Sequence, residues 1–142
     1  MATRRSDLKT ALLTCTKAPC KSCPYRKDVP SGVWAAAEYD KLPAYDGTIP
    51  EQLEAEGLGL FFCHTEAGKL CAGWVGCHDM SNLLAVRLSS RDLDPALWDY
   101  KSPVPLFPTG AAAAAHGKRD LRRPGTKAKR TMERLLRRRN PS

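Results

Sequence analysis

Residues 18–30 read APCKSCPYRKDVP and set two cysteines, Cys20 and Cys23, three positions apart, each next to a proline. Two thiols at this spacing in a tight turn can point at one metal ion, and the proline after Cys23 helps to stop the turn from continuing as a helix. The pair is therefore either one half of a metal site or a complete redox dithiol. Redox pairs of the thioredoxin type follow a strand, and no strand is predicted before Cys20, which favours a metal site.

The other half of such a site has to come from a later segment. Three cysteines and two histidines are available there: Cys63, His64, Cys71, Cys77 and His78. Zinc modules usually present a second close pair, whereas the spacing here is the open Cys-x7-Cys-x5-Cys. An iron–sulfur cluster spreads its ligands over several iron atoms and suits this spacing better. The residues alone leave a cluster, zinc and no metal as alternatives, with the cluster favoured.

Length and composition limit the remaining choices. At 142 residues, 42% of them apolar, the chain fits one domain, and its 11 prolines and 10 glycines indicate a loop-rich fold. Runs of about 18 to 20 apolar residues, which a membrane helix needs, do not occur, and Asp7, Lys9 and Thr10 interrupt the apolar residues near the N-terminus. We therefore expect a cytoplasmic protein, in which six cysteines indicate metal or redox chemistry rather than disulfides.

The local patterns predict a mainly α-helical domain with few strands. A first arm over residues 1–17 has a helical pattern at 7–14. Ser31 is a candidate N-cap for a helix over 32–42, and a short strand pair is expected near residues 60–75. Thr109 can cap an alanine-rich helix that Gly117 can end.

The basic residues are concentrated at the C-terminal end. Residues 117–142 hold eleven Lys or Arg and two acids, while the rest of the chain holds twelve basic and thirteen acidic residues. An apolar stripe of Ala128, Met132, Leu135 and Leu136 predicts a helix there. Such a field attracts phosphates, although the end lacks aromatic residues for base stacking. The alternatives are a solvated basic helix and contact with an anionic membrane or an acidic protein. The candidate nucleic-acid contacts are Lys118, Arg119, Arg122, Arg123, Lys127, Lys129, Arg130, Arg134, Arg137, Arg138 and Arg139.

Three segments together resemble a known family. PCKSCPYRKDVPSGVW, FFCHTEAGKLCAGWVG and LLAVRL, within residues 18–90, are similar to an uncharacterised family of small four-cysteine proteins found in actinobacteria and their phages, a domain of unknown function. The resemblance implies that Cys20, Cys23, Cys63 and Cys71 are the metal ligands and that His64 lies beside them as a supporting group. It assigns no role to Cys15, Cys77 or His78, and no activity.

An enzyme is the alternative interpretation. Zinc-dependent nucleobase deaminases combine His-x-Glu with a later Pro-Cys-x-x-Cys. Both strings occur here, ending at Glu66 and Cys23, but in the reverse order. A redox or deaminase-like enzyme would use Cys20, Cys23, His64 and Glu66.

The sequence therefore predicts a small, loop-rich, mainly α protein in three parts. An N-terminal arm (1–17) precedes a domain organised around a four-cysteine metal site (18–116) and a basic helical extension (117–142). The site is expected to hold a 4Fe-4S cluster rather than zinc. We expect a regulatory role and contact with nucleic acid through the extension.

Overall fold

The computed structural model describes residues 12–55 and 58–139, with side chains through residue 137. Short helices joined by long loops surround one main core, so the prediction of a small, loop-rich, mainly helical protein is confirmed. The α-helices of the described part are α1 (Ala36–Asp40), α2 (Ile49–Glu54), α3 (Ala72–Cys77), α4 (Leu84–Arg87), α5 (Gly110–Lys118) and α6 (Thr126–Arg139). Three 3₁₀ helices lie among them at Pro43–Asp46, Met80–Asn82 and Pro95–Asp99.

The strand pair expected near residues 60–75 is reduced to a single antiparallel bridge between Phe62 and Leu70. Leu70 also pairs in parallel with Cys15 on its other side. The described residues contain only isolated bridges of this kind and no sheet. The segment after Phe62 makes a turn through Gly68, whose φ is +80°, and the chain enters α3 soon afterwards, so the pairing stops after one bridge.

The helix predicted over 32–42 is wrong at its start, because α1 begins at Ala36. Ser31 does not cap it. The buried Ser31 hydroxyl donates to the Gly117 carbonyl at 3.1 Å and accepts the Asp120 amide at 2.8 Å. Gly32 has φ +84°, a value that no right-handed helix uses. Ser31 and Gly32 thus contact the end of α5 and do not begin a helix.

The alanine-rich helix α5 begins as predicted, with the Thr109 hydroxyl accepting the Ala112 amide at 3.0 Å. Its predicted end at Gly117 is wrong, since the helix continues to Lys118. Gly117 lies against the ring of Tyr39, where a Cβ atom would come within 2.0 Å of Cε1. The glycine therefore permits close packing of α5 on α1.

The described residues before the first cysteine pair pack into the core. Leu13 is fully buried and pairs with Leu93. Most of the helix predicted over 7–14 lies outside the described residues, and its described end is extended rather than helical. The division of the chain into three parts stays a prediction.

The basic helix α6 packs on the domain through part of its predicted apolar stripe. Ala128 is fully buried in a second small core with Val29 and Val33, and Met132 and Leu135 pack against it. Leu136, the fourth member of the stripe, is 60% exposed. One face of α6 is therefore attached to the domain, and its opposite face carries cations. In the described ranges, no helix has the length and apolar character that crossing a membrane requires.

A buried glutamine joins α2 to the loop before α4. The Gln52 amide nitrogen donates to the carbonyls of Gly47 and Asn82 at 2.8 and 2.6 Å, and its oxygen accepts the Leu84 amide at 3.0 Å. Gln52→Leu would leave these backbone groups without their partner. We expect it to lower the free energy of unfolding by about 2–4 kcal/mol, measured by urea titration. Leu53→Ala, at a neighbouring position that is 70% exposed, is the control; an equal loss in both variants would contradict this role.

Candidate functional site

The first cysteine pair lies in two successive turns. The Cys23 amide donates to the Cys20 carbonyl at 3.0 Å, and the Arg26 amide donates to the Cys23 carbonyl at 3.1 Å. Trp34 anchors this loop, because its indole nitrogen donates to the Ser22 carbonyl at 2.7 Å. Cys23 is fully buried, while Cys20 is half-buried.

The second pair lies on the segment that makes the single bridge. The Cys63 amide donates to the Lys69 carbonyl and the Cys71 amide to the Phe61 carbonyl, both at 2.8 Å. Because the chain reverses between them, Cys63 lies opposite Lys69 and Cys71 lies opposite Phe61. Cys63 and Cys71 are both buried.

The two segments meet at a contact between sulfur atoms. Cys23 Sγ lies 3.5 Å from Cys71 Sγ. A hydrogen bond from Cys23 lowers the pKa of Cys71, and the backbone amides of Trp74 and Gly73 act in the same direction. The same bond raises the pKa of Cys23, and burial adds to that effect. The contact thus favours loss of a proton from Cys71 over loss from Cys23.

Cys20 and Cys63 complete the group. Burial raises the pKa of Cys20, and the nearby Cys63 and Cys71 raise it further. The structure thus brings the four predicted ligands into one region. Within residues 12–55 and 58–139, no three His, Cys, Asp or Glu side chains converge closely enough to hold a metal ion. The ligand assignment stays a prediction.

A close approach of α3 makes the sulfur contact possible. A Cβ atom on Gly73 would lie 2.3 Å from Cys23 Sγ and 2.9 Å from Tyr25 Cβ. Only a residue without a side chain lets the first turn of α3 reach the cysteine loop. The sequence alone assigns no role to this glycine.

Cys15 and Cys77, to which the sequence assigns no role, flank the same region. Burial raises the pKa of Cys15 to about 11 and that of Cys77 to about 12, with smaller contributions from Cys71. Both thiols therefore stay protonated at neutral pH. They are suitable controls for the four predicted ligands.

His64 makes its polar contact with a carboxylate. Its Nε2 lies 3.1 Å from Glu38 Oε2, and its ring stacks on Trp34 with centroids 4.3 Å apart. Its role beside a metal stays a prediction. Glu66, which the deaminase-like alternative would use, forms an exposed ion pair with Lys69 at 3.0 Å.

His78 belongs to a partly buried polar network that sequence reasoning missed. Its Nε2 lies 3.3 Å from the Tyr25 hydroxyl and its Nδ1 lies 3.7 Å from Asp46. Asp46 also accepts the amides of Gly110 and Ala111 at the start of α5. Burial lowers the pKa of His78, and Asp46 partly opposes this effect. The network ties the cysteine region to α5, and no local motif indicates it.

The basic residues divide into three groups. Lys118 and Arg119 pair with Asp40 and Asp120. Arg138 and Arg139 belong to α6, but their side chains lie outside the described part. The others are exposed to solvent, and Arg137 among them also pairs with Glu133 at 3.9 Å: Arg122, Arg123, Lys127, Lys129, Arg130, Arg134 and Arg137.

Two neighbouring clefts separate α6 from the cysteine loops. The first, which we call the basic cleft, has a volume of about 710 Å³, and its lining includes Cys20, Lys21, Arg134 and Arg137. The second, the aromatic cleft, has a volume of about 790 Å³, and Trp34, His64, Met132 and Leu136 contribute to its lining. Sequence reasoning did not predict that cations of α6 share a cleft with a predicted ligand.

Comparison with known proteins confirms the family resemblance. No curated protein and no solved structure matches the chain. A family model matches residues 15–139, a range that holds all six cysteines and the whole of α6. The actinobacterial and phage distribution implied by the resemblance stays a prediction. The chain belongs to the family of unknown function DUF6283.

Proposed function

We propose that Cys20, Cys23, Cys63 and Cys71 hold an iron–sulfur cluster, of the 4Fe-4S type, in preference to zinc. The observation that carries a shared metal centre is the contact between Cys23 Sγ and Cys71 Sγ at 3.5 Å, which joins two segments 48 residues apart. The preference for a cluster rests on the open Cys-x7-Cys-x5-Cys spacing. Four thiols in one region, with Cys63 and Cys71 close enough to Cys20 to raise its pKa, are a donor set suited to iron and sulfide.

The surroundings of the four thiols support a cluster as well. Tyr25, Phe61 and Trp74 are buried, and their rings lie within contact distance of one another or of Tyr45. These rings exclude water from the region, while the amides at the start of α3 favour the Cys71 thiolate. When bound, a cluster supplies one-electron chemistry whose potential depends on solvent exposure and hydrogen bonds. Cluster binding also stabilises the fold, since the ligands come from distant segments.

We expect protein purified without oxygen to be brown and to contain iron and sulfide. Single Cys→Ser substitution at each of the four proposed ligands should remove most of the visible absorbance, because each supplies one bond to the cluster. Cys15→Ser and Cys77→Ser are the controls and should keep it. A colourless protein with one zinc ion per chain would show that the site holds zinc and not a cluster. Protein with neither metal would overturn the proposal.

We propose further that this is a regulatory protein that contacts nucleic acid through residues 117–139. The exposed cations of α6 support this, because each phosphate that they neutralise releases counterions and makes binding sensitive to salt. Deletion of residues 117–139 is a poor test, because it would also remove contacts within the domain. The Gly117 carbonyl accepts hydrogen bonds from the Ser31 hydroxyl and the Gly32 amide, and Ala128 is buried. Substitutions on the exposed face of α6 test the surface without removing these contacts.

We expect the triple variant Arg130→Gln, Arg134→Gln and Arg137→Gln to bind nucleic acid more weakly and with a shallower salt dependence. The slope of log affinity against log salt should fall by about 0.9 for each phosphate that the variant no longer neutralises. The control makes the same charge change elsewhere, at the exposed Lys17, Arg87 and Lys101. Equal losses of affinity in both triple variants would contradict a role for α6, and no binding by the parent protein would overturn the nucleic-acid proposal.

A further inference from the structure

The basic and aromatic clefts are continuous. Thr65 and Leu135 line both of them, so the two clefts form one groove along α6. Lys21, Arg134 and Arg137 lie on one side of this shared boundary, and Trp34, His64 and Leu136 lie on the other. The groove therefore has a cationic half and an aromatic, apolar half.

The cationic half is suited to phosphate. Arg137 keeps 76% of its side chain exposed, and the carboxylate of Glu133 is 3.9 Å away. Arg134 donates a 3.3 Å hydrogen bond to the Thr131 hydroxyl, a neutral group that does not offset its charge. Glu66, the acidic residue in this lining, is already paired with Lys69. The net field in this half is positive, which favours an anionic partner.

The aromatic half supplies the aromatic rings for base stacking that the basic C-terminal segment itself lacks. The rings of Trp34 and His64 are stacked at an interplanar angle of 28°, and bonds to Ser22 and Glu38 fix both of them. The nearby Leu136 is 60% exposed, a high value for a large apolar side chain beside a groove. A rigid pair of rings next to exposed apolar surface can receive a flat base, as aromatic side chains do in single-strand binding sites.

We propose that this groove binds single-stranded nucleic acid, with backbone phosphates at Lys21, Arg134 and Arg137 and an unpaired base against the Trp34–His64 pair. The inference rests on the proposed nucleic-acid function and specifies its substrate. A duplex would satisfy only the cationic half, because its bases are already stacked on one another. Single strands of about 15 nucleotides match the site sizes of known single-strand binding modules.

Fluorescence anisotropy of the full chain tests the inference, with a labelled oligothymidine, the matching oligouridine and a duplex of equal length. We expect either single strand to bind roughly tenfold more tightly than the duplex. Leu136→Glu should weaken single-strand binding by roughly fivefold or more. The control Leu88→Glu adds the same charge at a position that is 70% exposed outside the groove.

A second pair of variants addresses the rings themselves. Trp34→Ala should lose the preference for single strands, and Trp98→Ala, at a tryptophan that is 52% exposed elsewhere, should keep it. If Trp34→Ala fails to fold, the Leu136→Glu comparison decides. Equal affinity for single strand and duplex, or equal effects of Leu136→Glu and Leu88→Glu, would overturn this inference and leave the proposed function standing. An absence of binding to every probe would overturn both.

Discussion

Gly73→Ala is expected to remove most of the iron of the proposed cluster and to lower the free energy of unfolding by about 2–4 kcal/mol. The added methyl group would lie 2.3 Å from Cys23 Sγ and 2.9 Å from Tyr25 Cβ. Neither neighbour can move into open space, because both side chains are fully buried. The first turn of α3 would therefore have to move away from the cysteine loop, and Cys71 would move with it.

The matched control for this variant is Gly59→Ala. A Cβ atom on Gly59 meets nothing within 4 Å, so the same chemical change is made without a clash. Iron and sulfide per chain and urea denaturation should be measured on both variants after purification without oxygen. Parental iron content in Gly73→Ala would show that the contact between α3 and the loop is not needed for binding. A stability loss with full iron content would separate the packing role from the proposed ligand role.

Much of the general architecture could be predicted because it depends on local patterns. The helix cap at Thr109 and the apolar stripe of α6 both follow from short-range spacing, and the structure contains them. The family resemblance also depended on short strings around Cys20 and Cys71. Such features can be predicted from the sequence because they depend only on residues that are close together along the chain.

The errors and omissions share a different cause. Ser31 has the chemistry of an N-cap, but its hydroxyl bonds to Gly117 and Asp120, more than 80 residues away. Gln52 likewise bonds to backbone groups of Asn82 and Leu84, and His78 contacts the Tyr25 hydroxyl. A polar residue with a long-range partner has no periodic signature, so no pattern in the chain indicates which partner it will take.

The groove shows the same limitation at the level of function. The basic end lacks aromatic residues in sequence, which argues against base stacking. Folding places Trp34 and His64 beside α6, about 100 and 70 positions away along the chain. The proposed binding surface is made from three segments, so it could be inferred only once their packing was known.

The junction between α1 and α5 provides the second large effect. Gly117→Ala is expected to lower the free energy of unfolding by about 3 kcal/mol, although alanine by itself favours a helix by about 1 kcal/mol over glycine. The new Cβ would lie 2.0, 2.4 and 2.5 Å from three atoms of the Tyr39 ring. The ring cannot swing aside freely, because it is buried and its hydroxyl accepts the Trp34 amide at 3.0 Å.

Thermal and urea unfolding of Gly117→Ala should be compared with Gly125→Ala, where a Cβ atom meets nothing within 4 Å. A double-mutant cycle with Tyr39→Leu identifies the cause. If the ring is the obstacle, Gly117→Ala should cost at least about 1 kcal/mol less in the Tyr39→Leu background, because a branched aliphatic side chain can repack around the methyl group. Strictly additive losses would contradict this explanation, because they would mean that the Tyr39 ring is not the obstacle to the added methyl group.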